Sequence, residues 1–239
     1  MRALFRWTFI LALILLIVLI LLLVLIFPSL RNNGFVDFIR YRRSPESANL
    51  TVVTELERCP DAPFIIPTGG WIGVMYGDGI LGTSNHSGLD IFTLESNGDT
   101  PVYAAYDGYV TRLPEWTSAV IIRHPQDPLE PGRQIWTYYT HMADAAGNDY
   151  IVDEIPPGTY ELEVKQGTLL GYQGDYNGGS PRRISTHLHF SIVRDDGQGQ
   201  FLNETDIANT LDPSPYLGMR LNAACADRPP VCRPDYTCP

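Results

Sequence analysis

Positive charge is scarce in this chain. Its 17 lysines and arginines stand against 27 acidic residues, for a formal net charge of -10 and a pI of about 4.8. A nucleic-acid surface needs a basic patch or stripe, and none is present, so that class is set aside. The same balance argues against steering toward anionic polymers or lipids. Cysteine is also sparse: Cys59, Cys225, Cys232 and Cys238, none in a C-x-x-C pair, which excludes the usual structural zinc spacing. There is no H-E-x-x-H motif, so no glutamate base arrives on a zinc-binding helix. Internal repeats and low-complexity tracts are absent. Beyond residue 58 no stretch carries a sustained helical period, with 204–211 as the one weak exception.

Long apolar runs are confined to one place. From Trp7 to Phe27 there are 21 residues without a charge, and a helix needs roughly 20 apolar residues to cross a bilayer. Pro28 follows directly, with no small-x-small cleavage site, so an uncleaved transmembrane anchor over 7–27 is expected rather than a signal peptide. Arg31, Arg40, Arg42 and Arg43 outnumber Arg2 and Arg6 across the run, which by charge alone puts the C-terminal side in the cytoplasm. The cysteines point the other way. Three of the four lie in a Pro-rich tail with little else to hold it, a pattern that suits disulfides in an oxidising compartment. The expectation is a single-pass membrane protein with its domain on the extracytoplasmic side. Four cysteines allow three pairings; Cys59 bonded to one tail cysteine would tie the two ends of the domain together.

The remainder divides into a polar juxtamembrane linker (28–58), one main domain (59–221) and the cysteine-containing tail (222–239). The main domain alternates short apolar runs with Gly, Pro, Asn and Asp turns: "PVYAAYDGYVTRL", "SAVIIRH", "IWTYYTH", "GTYELEVKQGTLLGY" and "THLHFSIV". That is the pattern of an all-β fold. At 239 residues and 44% hydrophobic composition the chain can bury a full core.

Only five histidines occur, and their placement is uneven. His187 and His189 lie one residue apart in "STHLHFSIV". On a strand, side chains alternate with period two, so these two share a face while Leu188, Phe190 and Ile192 point to the core. "NHSGLD" puts His86 four residues before Asp90, on the same side if the segment is extended, with Gly88 between them leaving space for an approaching group. Imidazole and carboxylate are both good zinc ligands, and three protein ligands with a fourth position open mark a catalytic rather than a structural site. His141 ends the strand "TYYTH". His124, after "VII", reads as structural. Of Tyr138 and Tyr139 only one can face a groove, and both read first as strand packing.

These segments together resemble the lysostaphin-type (LytM-type) zinc metallopeptidases, which cut peptide bonds in bacterial cell walls. The resemblance runs over about residues 65–217 through "HSGLD", "TPVYAAYDGYVTRL", "AVIIRH", "TYYTHM", "VKQGTLLGYQG", "THLHFSIV" and "DPSPYL", in the family's order and approximate spacing. It implies a compact antiparallel β-sandwich or barrel-like peptidase core of the duplicated hybrid motif type. It implies one Zn2+ per chain held by His86, Asp90 and His189, with His141 and His187 as catalytic residues, and peptidoglycan as substrate. The segment 142–163 is longer than the family's usual connection and is expected to form an extra hairpin along one groove wall. Two other readings stay open: an inactive wall-binding scaffold that activates another hydrolase, and a zinc peptidase acting on secreted peptides.

Overall fold

The computed structural model describes residues 15–18, 20, 52–79, 85–93, 95–180, 184–227 and 230–233. Most of the expected membrane span, 7–27, lies outside the described residues; residues 15–18 and 20 are helical. Among the described residues no helix is long and apolar enough to cross a membrane.

The described residues form eleven strands in chain order: β1 (Val52–Val53), β2 (Gly70–Val74), β3 (Leu89–Phe92), β4 (Pro101–Tyr103), β5 (Gly108–Thr111), β6 (Val120–His124), β7 (Ile135–Thr140), β8 (Leu162–Val164), β9 (Leu169–Tyr172), β10 (His187–Arg194) and β11 (Thr210–Leu211). The main sheet runs β1-β2-β3-β10-β7-β6-β5-β8, with β11 added along β10, and β4 and β9 form a second small sheet. Every named strand pair is antiparallel. The fold is therefore the all-β, antiparallel architecture expected. The weak helical signal at 204–211 resolves into a 3-10 turn (Ile207–Asn209) that runs straight into β11. "DPSPYL" supplies a short helix, Ser214–Leu217.

β10 is the centre of the sheet, flanked by β3 and β7. Period-two alternation gives the sheet two unlike faces. Leu188, Phe190 and Ile192 enter the main core with Leu89, Ile91, Val120, Ile122 and Tyr139, closed from the other side by Val102 and Leu170 of the small sheet. On the opposite face, register aligns His187 with Phe92, His189 with Asp90 and Thr140, and Ser191 with Tyr138. Further along that face Ile121, Trp136 and Val193 form a second apolar cluster, packed by Trp116, Tyr138, Phe201 and Leu202. Polar chemistry thus collects at one end of a single sheet face, and aromatic bulk at the other.

Cys59 and Cys232 are disulfide-bonded, with Cα atoms 5.3 Å apart at a sequence separation of 173, so a tail cysteine does pair with Cys59. Cys225 is also disulfide-bonded. Gly218, at φ 67° just past the short helix, sits under this bridge; a Cβ there would come within 2.8 Å of the Cys59 Cβ. The segment 142–163 does not form the extra hairpin expected of it. It makes only isolated bridges, Ala143 with Asp149 and Ile151 with Gly171, before β8 joins β5 at the sheet edge. Pro156 and Pro157 cannot donate to a ladder. The buried Arg112 side chain binds the carbonyl of Ile155 at 3.1 Å and pairs with Asp149 at 2.9 Å, gathering the segment as turns.

Candidate active site

The site lies where β3, β10 and the end of β7 meet. Asp90 and His189 are cross-strand partners, so register alone brings their side chains together. His86 reaches them differently from the sequence-based expectation. It is not in an extended run with Asp90: β3 begins at Leu89, and His86 lies in the loop before it. That loop is tied down by His86 N–H to the Asp78 carbonyl (2.7 Å) and Gly77 N–H to the His86 carbonyl (2.8 Å). Gly88 has another purpose than the space inferred for it. A Cβ there would lie 2.3 Å from the Phe190 carbonyl oxygen, so glycine lets the loop press against the backbone of β10.

Three atoms converge: His86 Nε2 to Asp90 Oδ1 is 3.0 Å, His86 Nε2 to His189 Nδ1 is 3.1 Å, and His189 Nδ1 to Asp90 Oδ1 is 2.9 Å. His86 Nδ1 faces the Met75 carbonyl at 3.2 Å. A carbonyl only accepts, so the proton is on Nδ1 and Nε2 turns a lone pair toward the other two atoms. Ligand atoms on a tetrahedral zinc with bonds of about 2.0–2.1 Å are about 3.3 Å apart. The three donors fit that spacing with little adjustment. The surroundings favour positive charge as well. Burial disfavours an ionised Asp90, yet His86, His187 and His189 hold its carboxyl well below the usual carboxylate range. Burial likewise opposes protonation of His189, but the hydrogen bond to Asp90 and the nearby carboxylate of Glu204 bring its pKa up to about 10. A divalent cation meets the same demand that a proton meets in its absence.

His187 and His141 stand beside this cluster. Their ring centroids are 4.5 Å apart, and the His187 ring stacks on Phe92 at 4.8 Å. His187 Nε2 is 3.7 Å from Asp90 Oδ1. Both rings are oriented by backbone carbonyls. His187 Nδ1–H donates to Ser185 (2.6 Å) and His141 Nδ1–H to Tyr176 (2.7 Å), which leaves each Nε2 as an acceptor. Burial lowers both pKa values, that of His141 to about 3 with help from the positive charge of nearby histidines. His141 is one of few non-glycine residues with positive φ, at 72°. Such a conformation costs of order 1 kcal/mol or more and recurs where a side chain must be aimed. Gly174 makes this turn possible, since a Cβ there would lie 2.1 Å from the Ala143 carbonyl and 2.5 Å from that of His141.

All five predicted residues therefore meet in one place, drawn from a loop, two strands and the end of a third. His124 does not join them. It is buried on the core face, its Nδ1 2.7 Å from the Asp107 carbonyl and its Nε2 2.8 Å from Thr137 Oγ1. Tyr139 is fully buried in the core, where its hydroxyl accepts the Ala105 N–H at 2.9 Å. Tyr138 lies half-buried on the site's face, edge-on to Trp116. Glu204 escaped sequence reasoning. It follows Asn203 in an irregular loop, no spacing links it to the histidines, and only the folded chain sets it 3.4 Å from His189 Nε2.

An all-β sheet carries two histidines and an aspartate around one point, a group that could hold a metal ion, with two further histidines beside it. A profile of peptidase family M23 matches residues 84–203, half of the chain, and the chain belongs to that family. Solved structures with a similar fold include the antimicrobial peptidase lysostaphin from Staphylococcus simulans, 21% identical over 61% of this chain and 48% of that one, with a TM-score of 0.39. Helicobacter pylori Csd3 is 18% identical over 64% of this chain and 32% of its own, with a TM-score of 0.39. A variant catalytic domain of the prophage-encoded M23 protein EnpA from Enterococcus faecalis is 19% identical over 62% of this chain and 92% of its own, with a TM-score of 0.32. The chain thus spans about half of the lysostaphin chain it matches. The comparison with curated proteins returned no match.

Proposed function

We propose that this protein is a membrane-anchored zinc metalloendopeptidase that hydrolyses peptide cross-links of bacterial peptidoglycan. The observation that carries the reading is the convergence of His86 Nε2, Asp90 Oδ1 and His189 Nδ1 within 3.1 Å of one another, in a chain of peptidase family M23. These three atoms would hold the zinc, leaving a fourth position for the reactants. Bound there, zinc supplies Lewis-acid polarisation of the scissile carbonyl and lowers the pKa of water toward roughly 7.

The protein's own residues handle the protons. His141 and His187 are both neutral at pH 7, because burial depresses their pKa values, and both present Nε2 as an acceptor. Attack of water on the peptide carbonyl forms the new C–O bond and releases a proton, which one of these nitrogens takes. The imidazolium so formed returns that proton to the amine as the C–N bond breaks. The carbonyls of Tyr176 and Ser185 hold the Nδ1–H of each ring throughout, so neither ring needs to turn between accepting and donating.

The test uses the full-length chain, in detergent, with purified peptidoglycan. New free amino groups that vanish with a chelator and return with added zinc support the reading, and mass spectrometry of the fragments names the bond. Zinc-dependent cleavage of free peptides with no release from wall would replace it with a peptidase of secreted peptides. Zinc binding without cleavage of either substrate would replace it with the scaffold reading. The anchor and the extracytoplasmic location are tested separately. Membrane retention after a carbonate wash, with the domain open to protease only from outside intact cells, is the expected outcome.

A further inference from the structure

Glu204 is the first residue beyond the family match, and its carboxylate touches both chain segments that carry the predicted histidine ligands. One oxygen, Oε2, lies 3.4 Å from His189 Nε2 and 3.4 Å from the hydroxyl of Ser87, the residue next to His86. At that distance the histidine contact is ion pairing rather than a full hydrogen bond. His189 Nε2 is nevertheless sealed from solvent and makes no hydrogen bond, and the Glu204 carboxylate is the acceptor group placed against it. The Glu204 side chain is itself only 21% exposed. Its backbone is set by Asn203, whose side-chain oxygen accepts both the N–H (3.1 Å) and the hydroxyl (2.9 Å) of Thr205.

A histidine that binds metal through Nδ1 must keep its remaining proton on Nε2, and a buried Nε2–H needs an acceptor. Glu204 supplies one on the side of the ring away from Asp90 and His86. We propose that Glu204 is a positioning residue for the metal: it holds His189 in the Nε2–H tautomer, so that Nδ1 offers its lone pair, and through Ser87 it fastens the His86 loop against β10. The inference rests on the metal site proposed above. It adds a fourth residue to that site, one that touches neither metal nor substrate.

The experiment measures zinc affinity of the full-length chain by competition with a chromophoric chelator. It compares wild type with E204Q and E204A and records the metal-free melting temperature of each. Loss of a carboxylate behind a metal-binding histidine typically lowers affinity about 10–100-fold. E204A is expected to fall in that range and E204Q less far, because its amide oxygen still accepts, with both variants folded and any drop in metal-free melting too small to account for the lost affinity. Nitrogen-15 spectra of the zinc-loaded wild type should show His189 protonated at Nε2, and E204A should show that signal shifted or exchanging. If E204A fails to fold, E204Q and the wild-type spectrum decide. Wild-type affinity in both variants would overturn the role of Glu204 while leaving the metal site standing. A wild-type chain that binds no zinc would overturn both.

Discussion

The two faces of the central sheet are built from the same strands and treat histidine in opposite ways. On the core face, His124 is buried with both ring nitrogens engaged, Nδ1 by a carbonyl and Nε2 by the Thr137 hydroxyl. On the site face, His141 and His187 are also oriented by carbonyls at Nδ1, but His187 Nε2 lies 3.7 Å from Asp90 Oδ1 and the His141 ring packs beside His187, their centroids 4.5 Å apart. Burial depresses all three pKa values, to about 4 for His124 and about 3 for His141. A lowered histidine pKa therefore does not by itself mark catalysis. What distinguishes the faces is whether the second nitrogen is consumed by the fold or left available.

Four sets of variants would break or sharpen this contrast. The largest effect is expected at the proposed metal ligands. D90A and H86A should each lose about three orders of magnitude or more of wall-cleaving activity, the worth of several kcal/mol of charge stabilisation. Both should also lose bound zinc by elemental analysis, whereas H124A should keep it. Next come H141A and H187A. Each should lower kcat by about 10²–10⁴-fold while the zinc content stays at wild type. A variant of either residue with full activity would remove that residue from proton transfer.

The third expectation concerns stability and pH. The folded-state pKa of His124, about 4, lies below the unfolded value of about 6.5. Between those values the unfolded chain binds more protons, so stability rises with pH through the window. The contribution is fully present above pH 6.5 and is lost as pH falls toward 4, at most about 3 kcal/mol. Urea denaturation at pH 7 and pH 4.5 should show a shallower pH dependence for H124N than for wild type. Equal slopes would mean that the buried imidazole does not set this part of the acid sensitivity.

The smallest effects separate two neighbouring tyrosines. Y139F strips the Ala105 N–H of its acceptor in the core and should cost about 1–2 kcal/mol, with kcat unchanged. Y138F, on the site face, should cost less than about 0.5 kcal/mol. Thermal melts of the pair read this directly, and a larger loss in Y138F than in Y139F would invert the assignment of faces.

Strand existence, the all-β class and the pairing of His187 with His189 on one face could be read from the chain because each follows from period-two alternation, a local property. The likeness to a known family drew the five candidate residues together before any geometry was available. The path of 142–163 could not be read in the same way, since Arg112 gathers it by reaching the Ile155 carbonyl and the Asp149 carboxylate, both more than 30 residues away. Nor could the true use of Gly88, which depends on the backbone of Phe190, about 100 residues distant.

The sequence by itself determined which residues can do chemistry and that His187 and His189 share one strand face, because side-chain alternation and residue type need no knowledge of distant contacts. The tertiary structure alone decided the rest. It set the register of β3 against β10 that places Asp90 beside His189, the turn at His141, the carbonyls that choose each tautomer, and the carboxylate of Glu204 behind the ring. These depend on atoms brought close only when the sheet closes around its core, and no local pattern encodes them.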